Sequence, residues 1–203
     1  MGRILAISDI HGHGDSLLSL LTYSGYNPDQ DRLFLLGDYI GENTDNFKTL
    51  EIIEELVQKG AVALRGNHEE RVIEKNMKKD IFTQRWKPFF SSLPYWYKES
   101  DFLFVHAGIR PGIALKDQKF EDFITIREAF YCSSFQHDET IVFGHTPAYR
   151  LGTPPGEFWL SENKIGIDTG AGHGYFLSLA DLNNRLQYRI SVNKIGFVEK
   201  RHF

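Results

Sequence analysis

The chain has little cysteine and no long apolar run. Its single cysteine, Cys132, excludes an internal disulfide framework and a thiolate zinc site, as is typical of proteins from a reducing compartment. No apolar stretch approaches the roughly 20 residues that a transmembrane helix needs. Met1 is followed directly by a strand-like segment, without the features of a signal peptide. We therefore expect a cytoplasmic protein with no membrane partner.

The chain also lacks an excess of either charge. It carries 23 basic and 27 acidic side chains among 203 residues, a formal charge of -4, so no broad attraction for nucleic acid is expected. A composition of 41% hydrophobic and 25% charged residues excludes disordered, collagenous and coiled-coil classes. The length predicts one domain that spans residues 1–203.

Strand-like and helix-like patterns alternate along the first half of the chain. Such alternation is typical of β-α-β units, so the predicted class is α/β with the active loops at the carboxyl ends of the strands. A helix is expected from Glu69 to about Lys79, and the aromatic stretch Trp86–Tyr97 is interpreted as a packed core element more than a base-stacking surface. The predicted strands are 3–7, 33–36, 61–64, 102–106, 140–144, 164–168, 175–180 and 186–192, with residues 189–203 as an edge strand and tail.

Five polar clusters follow the predicted strands. Their oxygen and imidazole donors are the ligands that Mn²⁺, Mg²⁺, Fe²⁺ or Zn²⁺ prefer. Each cluster alone has an ordinary explanation: Asn67 could cap a helix, and His106 and His145 could be buried neutral histidines. Their occurrence together, each at a strand end, favours a site for two ions. The clusters are Asp9-Ile10-His11-Gly12, Gly37-Asp38, Gly66-Asn67-His68-Glu69, His106-Ala107-Gly108 and Gly144-His145-Thr146.

This ordered set resembles the calcineurin-like metallophosphoesterases, over about residues 3–181. Within that superfamily it is most similar to the phosphoprotein phosphatase branch, which includes bacterial serine/threonine phosphatases and symmetrical diadenosine tetraphosphatases. The resemblance implies a β-sandwich of two mixed sheets flanked by helices. It implies that Asp9, His11 and Asp38 hold one metal ion, and that Asp38, Asn67, His106 and His145 hold the second.

The resemblance also implies a mechanism. Two divalent ions, with manganese preferred over iron, zinc or magnesium, would activate a bridging hydroxide that attacks the phosphoryl group directly. His68 would protonate the leaving oxygen, and Arg65 and Arg127 would contact phosphate oxygens. Arg127 has an alternative as an exposed arginine paired with a glutamate. Asp168 is expected to accept a hydrogen bond from a ligand imidazole.

The second motif departs from the family pattern Gly-Asp-x-x-Asp-Arg-Gly. Gly41 stands where relatives have an aspartate that orients the catalytic histidine, and Glu42 stands where they have a phosphate-binding arginine. Either Glu42 or Asp45 could supply the missing carboxylate. If this loop limits catalysis, Gly41→Asp together with Glu42→Arg should raise activity on an aryl phosphate.

Three functions follow from these patterns. The preferred one is a dinuclear metal-dependent phosphatase that acts on phosphomonoesters and is most like a serine/threonine protein phosphatase. The second is a hydrolase of diadenosine tetraphosphate or a related dinucleotide polyphosphate. The third is a weakly catalytic module that binds phosphorylated ligands, which the Gly41-Glu42 departure favours.

Overall fold

The computed structural model describes residues 2–42, 44–74, 80–134, 137–193 and 196–203. Its helices and strands alternate in the first half, and strands dominate the second. Three short 3-10 turns lie at Leu115–Asp117, Ala148–Leu151 and Ala171–His173. In chain order the elements are β1 (Ile4–Ile7), α1 (Gly14–Ser24), β2 (Arg32–Leu35), α2 (Asn46–Gln58), β3 (Val62–Ala63), α3 (Asn67–Glu74), α4 (Ile81–Ser92), β4 (Trp96–Glu99), β5 (Phe102–Val105), α5 (Phe120–Thr125), α6 (Glu128–Tyr131), β6 (Thr140–Phe143), β7 (Trp159–Ser161), β8 (Lys164–Gly166), β9 (Phe176–Asp181), β10 (Leu186–Ser191) and β11 (Glu199–His202).

The strands form two mixed sheets. The first has the order β11-β10-β9-β1-β2-β3, and the second has the order β4-β5-β6-β8-β7. β1, β2 and β3 are parallel to one another, as are β5, β6 and β8. In both sheets the carboxyl ends of the parallel strands meet at one edge, so the loops that follow these strands lie close together.

The two sheets pack face to face, with helices on both outer faces. Alternation along each strand decides which side chains enter the sandwich: Ala6 and Phe34 of the first sheet meet Phe104 and Val142 of the second. The rings of Phe34 and Phe104 stack with centroids 3.9 Å apart. On the other face of the first sheet α1, α2 and α4 cover the alternate residues, while α5 and α6 cover the second sheet. The predicted two-sheet architecture is therefore confirmed.

Most predicted strands lie within two residues of observed ones, but β4 and β7 were not predicted. Both are edge strands with half-exposed side chains, so they lack the continuous apolar run of the central strands. The aromatic stretch is the second half of α4, with Pro88 inside the helix, followed by β4. Trp86 and Phe90 are fully buried, as a core element requires, whereas Trp96 is 38% exposed. The predicted end of the preceding helix, residues 75–79, lies outside the described residues.

Candidate metal centre

The predicted ligands come from strand ends in both sheets. Asp9 and Asp38 follow β1 and β2, whereas His106 and His145 follow β5 and β6. The two groups meet directly: the backbone N–H of His145 donates to Asp9 Oδ2 at 2.9 Å. The candidate site therefore lies at the seam where the strand ends of both sheets converge.

The backbone at this seam is unusual. Asp9, His11, Asp38 and His145 have φ values of 54°, 47°, 54° and 64°, in the left-handed region that residues other than glycine rarely adopt. Each such residue carries conformational strain of roughly 1–3 kcal/mol, and such strain clusters at functional sites. The left-handed turns aim the four side chains away from their strands and toward one another.

Two histidines present the same ring nitrogen to the centre. His106 Nδ1 lies 2.8 Å from the Leu36 carbonyl oxygen, and His11 Nδ1 lies 3.1 Å from the Ile40 carbonyl oxygen. A carbonyl oxygen can only accept, so Nδ1 carries a proton in both rings and donates it. Nε2 of each ring is therefore the atom that faces the carboxylates, as in metal-ligating histidines.

His145 has the same orientation and leaves a buried atom without a partner. Its ring interacts with the Thr125 backbone, and its Nε2 is buried with no hydrogen-bond partner among the residues that the structure describes. Burial, with further contributions from His106 and Arg127, lowers the pKa of His145 to about 3, so the ring is neutral and its Nε2 has a free electron pair. A divalent cation is the partner that this atom lacks.

Asp38 joins two groups of donors. His11, Asp38 and His68 form one group and Asp38, His106 and His145 form the other, with the donor atoms of each group within 4.8 Å of one another. Asp38 Oδ2 lies 4.0 Å from His11 Nε2, and Asp38 Oδ1 lies 3.5 Å from His106 Nε2. These donors fit two divalent ions bridged by Asp38.

The remaining predicted ligands lie in the same place. Asp9 Oδ1 is 3.8 Å from His11 Nε2, and Asn67 Oδ1 is 3.1 Å from His106 Nε2. Asn67 is the first residue of α3 and not its cap, so the alternative capping role is not observed. All six predicted ligands are thus brought together at one site.

Comparison with known proteins agrees with this geometry. The family model of the calcineurin-like phosphoesterases matches residues 2–177. The chain belongs to the calcineurin-like phosphoesterase family. The six donors at the seam lie within the part of the chain that the family model matches.

Curated relatives of this phosphoesterase include symmetrical bis(5'-nucleosyl)-tetraphosphatases. The protein from Photorhabdus laumondii is 31% identical over 129 residues, which cover 56% of this chain and 46% of the relative. The protein from Aliivibrio fischeri is 32% identical over 124 residues, covering 52% and 44%. The matched part of this chain thus spans less than half the length of these relatives.

Solved structures share the fold. A provisionally assigned diadenosine tetraphosphatase superimposes with a TM-score of 0.78 at 22% identity, covering 96% of this chain and 95% of the other. A metallophosphoesterase from Sphaerobacter thermophilus gives 0.60 at 19% identity, covering 97% and 89%. Identities this low support the phosphoesterase fold alone.

In the described parts of the chain, no helix has the length and apolar character of a membrane span.

The metallophosphoesterase site opens into a cleft of about 480 Å³. Five of the six predicted ligands line it, all except the fully buried His106. His68 also lines it, with its ring 4.9 Å from that of His11. Three arginines, Arg71, Arg127 and Arg150, also line it. Arg127 donates to Thr146 Oγ1 at 3.0 Å, beside His145, a position suited to the predicted phosphate contact and different from the pairing with a glutamate.

Arg65 does not occupy the cleft. Its guanidinium lies behind the site, where Nη1 donates to Glu70 Oε2 at 3.0 Å and Nη2 donates to the Ser91 carbonyl oxygen at 2.7 Å. Tyr95 provides a further acceptor at 2.8 Å and stacks under the guanidinium. The predicted phosphate contact of Arg65 is corrected accordingly: its Nη1 and Nη2 groups join α3 to the end of α4. Its Nε is buried without a hydrogen-bond partner among the described residues, and Arg65 does not line the cleft.

His68 has no orienting carboxylate among the described residues. The nearest carboxylate oxygen, Asp38 Oδ2, lies 3.8 Å from His68 Nε2, too far for a hydrogen bond. Asp45, one of the two suggested replacements, instead caps α2 by accepting from the Lys48 N–H. Glu42, the other, lines the cleft with His68.

Gly41 has no room for the family's aspartate. A Cβ built on Gly41 would lie 2.8 Å from the His11 carbonyl carbon and closer still to its oxygen, where ordinary contact begins at 3.4 Å. The Asn46 side chain clamps this glycine by accepting from its N–H at 2.8 Å and donating to its carbonyl oxygen at 2.9 Å. The structure therefore opposes the expectation that restoring the aspartate raises activity.

Glu69 is a residue that sequence reasoning assigned no role. It is fully buried, and its carboxylate accepts from the backbone N–H groups of Asp38 at 2.9 Å, Tyr39 at 2.9 Å and Gly66 at 3.0 Å. Burial and the nearby Asp38 charge raise the pKa of Glu69 to about 7. The sequence signal pointed elsewhere: a capping box starting at the cap candidate Asn67 would use Glu70, whereas Glu69 accepts from the N–H of Gly66, three residues before it.

Asp168 lies in the cleft wall but not as expected. Its carboxylate accepts from the Gly170 N–H at 2.8 Å, and no contact with a ligand imidazole is seen in the described residues. Burial, together with the charge of Asp9, raises the pKa of Asp168 well above its ordinary value.

The cleft residues Arg71 and Arg150 were not predicted, because an isolated surface arginine has no distinctive sequence pattern.

Proposed function

We propose that this phosphoesterase cleaves its substrate with two divalent metal ions, manganese preferred, and that the substrate is a dinucleotide polyphosphate such as diadenosine tetraphosphate. The observation that supports the metal site is the pair of donor groups that share Asp38, with the buried His145 Nε2 lacking a hydrogen-bond partner among the described residues. The two groups of donors share Asp38, as a bridged pair of ions requires.

The ions would lower the pKa of a bound water toward neutrality and neutralise charge on the phosphoryl group. The protein residues supply position and protons. The Leu36 and Ile40 carbonyl oxygens fix the ring orientation of His106 and His11, and Arg127 presents its guanidinium to phosphate oxygens at the cleft wall. His68, next to the ligand Asn67, donates a proton to the leaving oxygen.

The proposed substrate class rests on the relatives and on the charge of the cleft. The curated relatives are named as symmetrical tetraphosphatases, which favours the dinucleotide alternative over the serine/threonine phosphatase preferred from sequence. Three arginines line one cleft, and guanidinium groups suit a chain of phosphates better than a single phosphate. The absence of Asp at position 41 also suits a phosphate leaving group, which needs less protonation than an alcohol.

The test compares three substrates on one preparation. The purified protein is stripped of metal, supplied with Mn²⁺, and assayed on p-nitrophenyl phosphate, a phosphoserine peptide and diadenosine tetraphosphate, with Asp38→Asn as the blank. We expect metal-dependent turnover that Asp38→Asn abolishes, and the highest kcat/KM on diadenosine tetraphosphate.

Two other outcomes would change the proposal. A higher kcat/KM on the phosphoserine peptide would favour the protein phosphatase function. No turnover on any substrate, with two equivalents of Mn²⁺ bound by calorimetry, would favour the binding module that the altered Gly41-Glu42 sequence first suggested.

A further inference from the structure

A second cavity adjoins the metal cleft. It has a volume of about 330 Å³, at the lower end of the roughly 300–1,000 Å³ of small-molecule pockets. It lies between the loop after β2, the face of α3 and the start of α4. Four residues line both this side pocket and the metal cleft, so the two spaces are adjacent: Gly41, Glu42, His68 and Arg71.

His68 lines both cavities, which indicates the part of the substrate that would enter the side pocket. A general acid must reach the leaving oxygen of the substrate, so the group bonded to that oxygen extends past His68. The cavity on that side of His68 is the side pocket. In the proposed function the scissile phosphoryl group would lie at the predicted metal ligands, none of which lines the side pocket.

The lining of the side pocket suits a flat, partly apolar group. Ile40, Val72 and Phe82 provide the apolar surface, and the Phe82 ring is held edge-on by Phe47, with centroids 5.3 Å apart. Asp80 also lines the pocket, but its carboxylate is used as the cap of α4, accepting from the Thr83 N–H at 2.8 Å. A pocket of this size can hold a nucleoside-sized group.

Arg71 stands at the entrance of the pocket. It lies one helical turn after His68, on the same face of α3. Its guanidinium makes no hydrogen bond or ion pair with any residue that the structure describes. An exposed cation without a partner, lining both cavities, is placed to meet an anionic group that crosses from one cavity to the other.

We infer that the side pocket receives the leaving group of the substrate, a nucleoside-like body on Ile40, Val72 and Phe82, and that Arg71 contacts a phosphate of that leaving group. The inference rests on the proposed function and adds where the leaving group binds. Glu42, with no partner among the described residues, faces the same pocket and can accept hydrogen bonds from sugar hydroxyls or an exocyclic amine. Arg71 thereby supplies a cation beside the position from which the family arginine is absent.

The experiment measures binding without turnover. Calorimetry on the Mn²⁺-loaded protein gives the Kd of inorganic phosphate, pyrophosphate and ADP for the wild type, Arg71→Gln and Phe82→Ala. Arg150→Gln is the matched control, because Arg150 is an exposed cleft arginine that lines the metal cleft and not the side pocket. Circular dichroism confirms that each variant is folded.

Arg71→Gln is expected to raise the Kd of ADP and of pyrophosphate about tenfold or more, because one charge-assisted hydrogen bond is lost. The Kd of inorganic phosphate is expected to change less than about twofold. Phe82→Ala is expected to weaken ADP alone, and Arg150→Gln is expected to change ADP less than Arg71→Gln does. If Phe82→Ala does not fold, Val72→Phe fills the pocket and should reduce ADP binding to the level of pyrophosphate.

Three results would overturn the inference: equal weakening of inorganic phosphate and ADP by Arg71→Gln, no effect of Arg71→Gln on ADP, or wild-type ADP binding no tighter than pyrophosphate. Any of these alongside metal-dependent turnover would leave the proposed function standing. Arg71-dependent ADP binding without turnover on any substrate would instead support the pocket and refute the hydrolytic function.

Discussion

Gly41 offers a direct test of how tightly the metal site is packed. Adding a side chain there places Cβ 2.8 Å from the His11 carbonyl carbon, against 3.4 Å for ordinary contact. The Asn46 clamp on both polar groups of Gly41 prevents the loop from moving away. His11 must therefore move, and its ring moves with it, since the displaced backbone belongs to the same residue.

The size of the effect follows from that displacement. Overpacking of this kind costs about 1–3 kcal/mol of stability, and a 1 Å misplacement at a reacting centre costs roughly 10²-fold in rate. For a shift of about half that distance we expect Gly41→Asp and Gly41→Ala each to lower kcat/KM on p-nitrophenyl phosphate by about tenfold and to weaken Mn²⁺ binding. Similar losses in the two variants would show that space, and not charge, decides the outcome.

Glu42→Arg is the matched control for this test. Glu42 is an exposed neighbour of Gly41 with no hydrogen bond to the described residues, so its replacement should leave the melting temperature and the Mn²⁺ affinity unchanged. The reasoning is refuted if Gly41→Asp binds Mn²⁺ as tightly as the wild type and turns over substrate faster.

Three further predictions concern the metal and the supporting contacts. Asp38→Asn, which alters the carboxylate shared by both donor groups, should weaken Mn²⁺ binding by at least about tenfold in calorimetry; two equivalents bound at wild-type affinity would contradict a bridging role. Burial raises the pKa of the Asp31 carboxyl, but the hydrogen bonds and charge of Arg3 outweigh burial, so the pKa lies below its ordinary value of 3.8. The ion pair therefore stabilises the fold fully above pH 3.8, and this stabilisation is lost as the pH falls through the lowered pKa. Urea unfolding should show Asp31→Asn destabilised by about 1–3 kcal/mol at pH 7 and by less at pH 3, whereas an equal deficit at both pH values would exclude the ion pair as the cause. Tyr39→Phe removes the buried hydroxyl that contacts the Leu64 carbonyl oxygen at 2.6 Å, and should lower the free energy of unfolding by about 1–3 kcal/mol; a change below about 0.5 kcal/mol would mean that the carbonyl finds another donor.

The central sheet strands and the six ligands could be predicted because their signals are local. A buried parallel strand is a continuous apolar run, and each predicted ligand lies within four residues of the end of such a strand, as Asp38 lies three residues after β2. The β4 and β7 strands could not be predicted, because an edge strand is defined by its partner more than by its own residues. Family resemblance supplied the ligand assignment that composition alone left open.

Arg65 shows the limit of a motif read without its surroundings. Its position beside Gly66-Asn67-His68 suggested a phosphate contact, but alternation along the chain aims it at the carbonyl oxygens of Ser91 and Leu93. Arg71, by contrast, reaches the cleft only because α3 places it one turn beyond His68. Which arginine faces the substrate depends on where a helix begins, which residue types alone do not reveal.

Because the candidate metal site lies at the seam between the sheets, metal supply would affect the stability of the protein in a cell. Asp9 follows a strand of one sheet and His145 follows a strand of the other, and the hydrogen bond from the His145 N–H joins them. Metal ions held by donors from both sheets would link the two sheets and stabilise the fold, since a ligand that binds only the native state raises its stability. Metal starvation would then lower abundance as well as activity, through faster proteolysis of opened molecules.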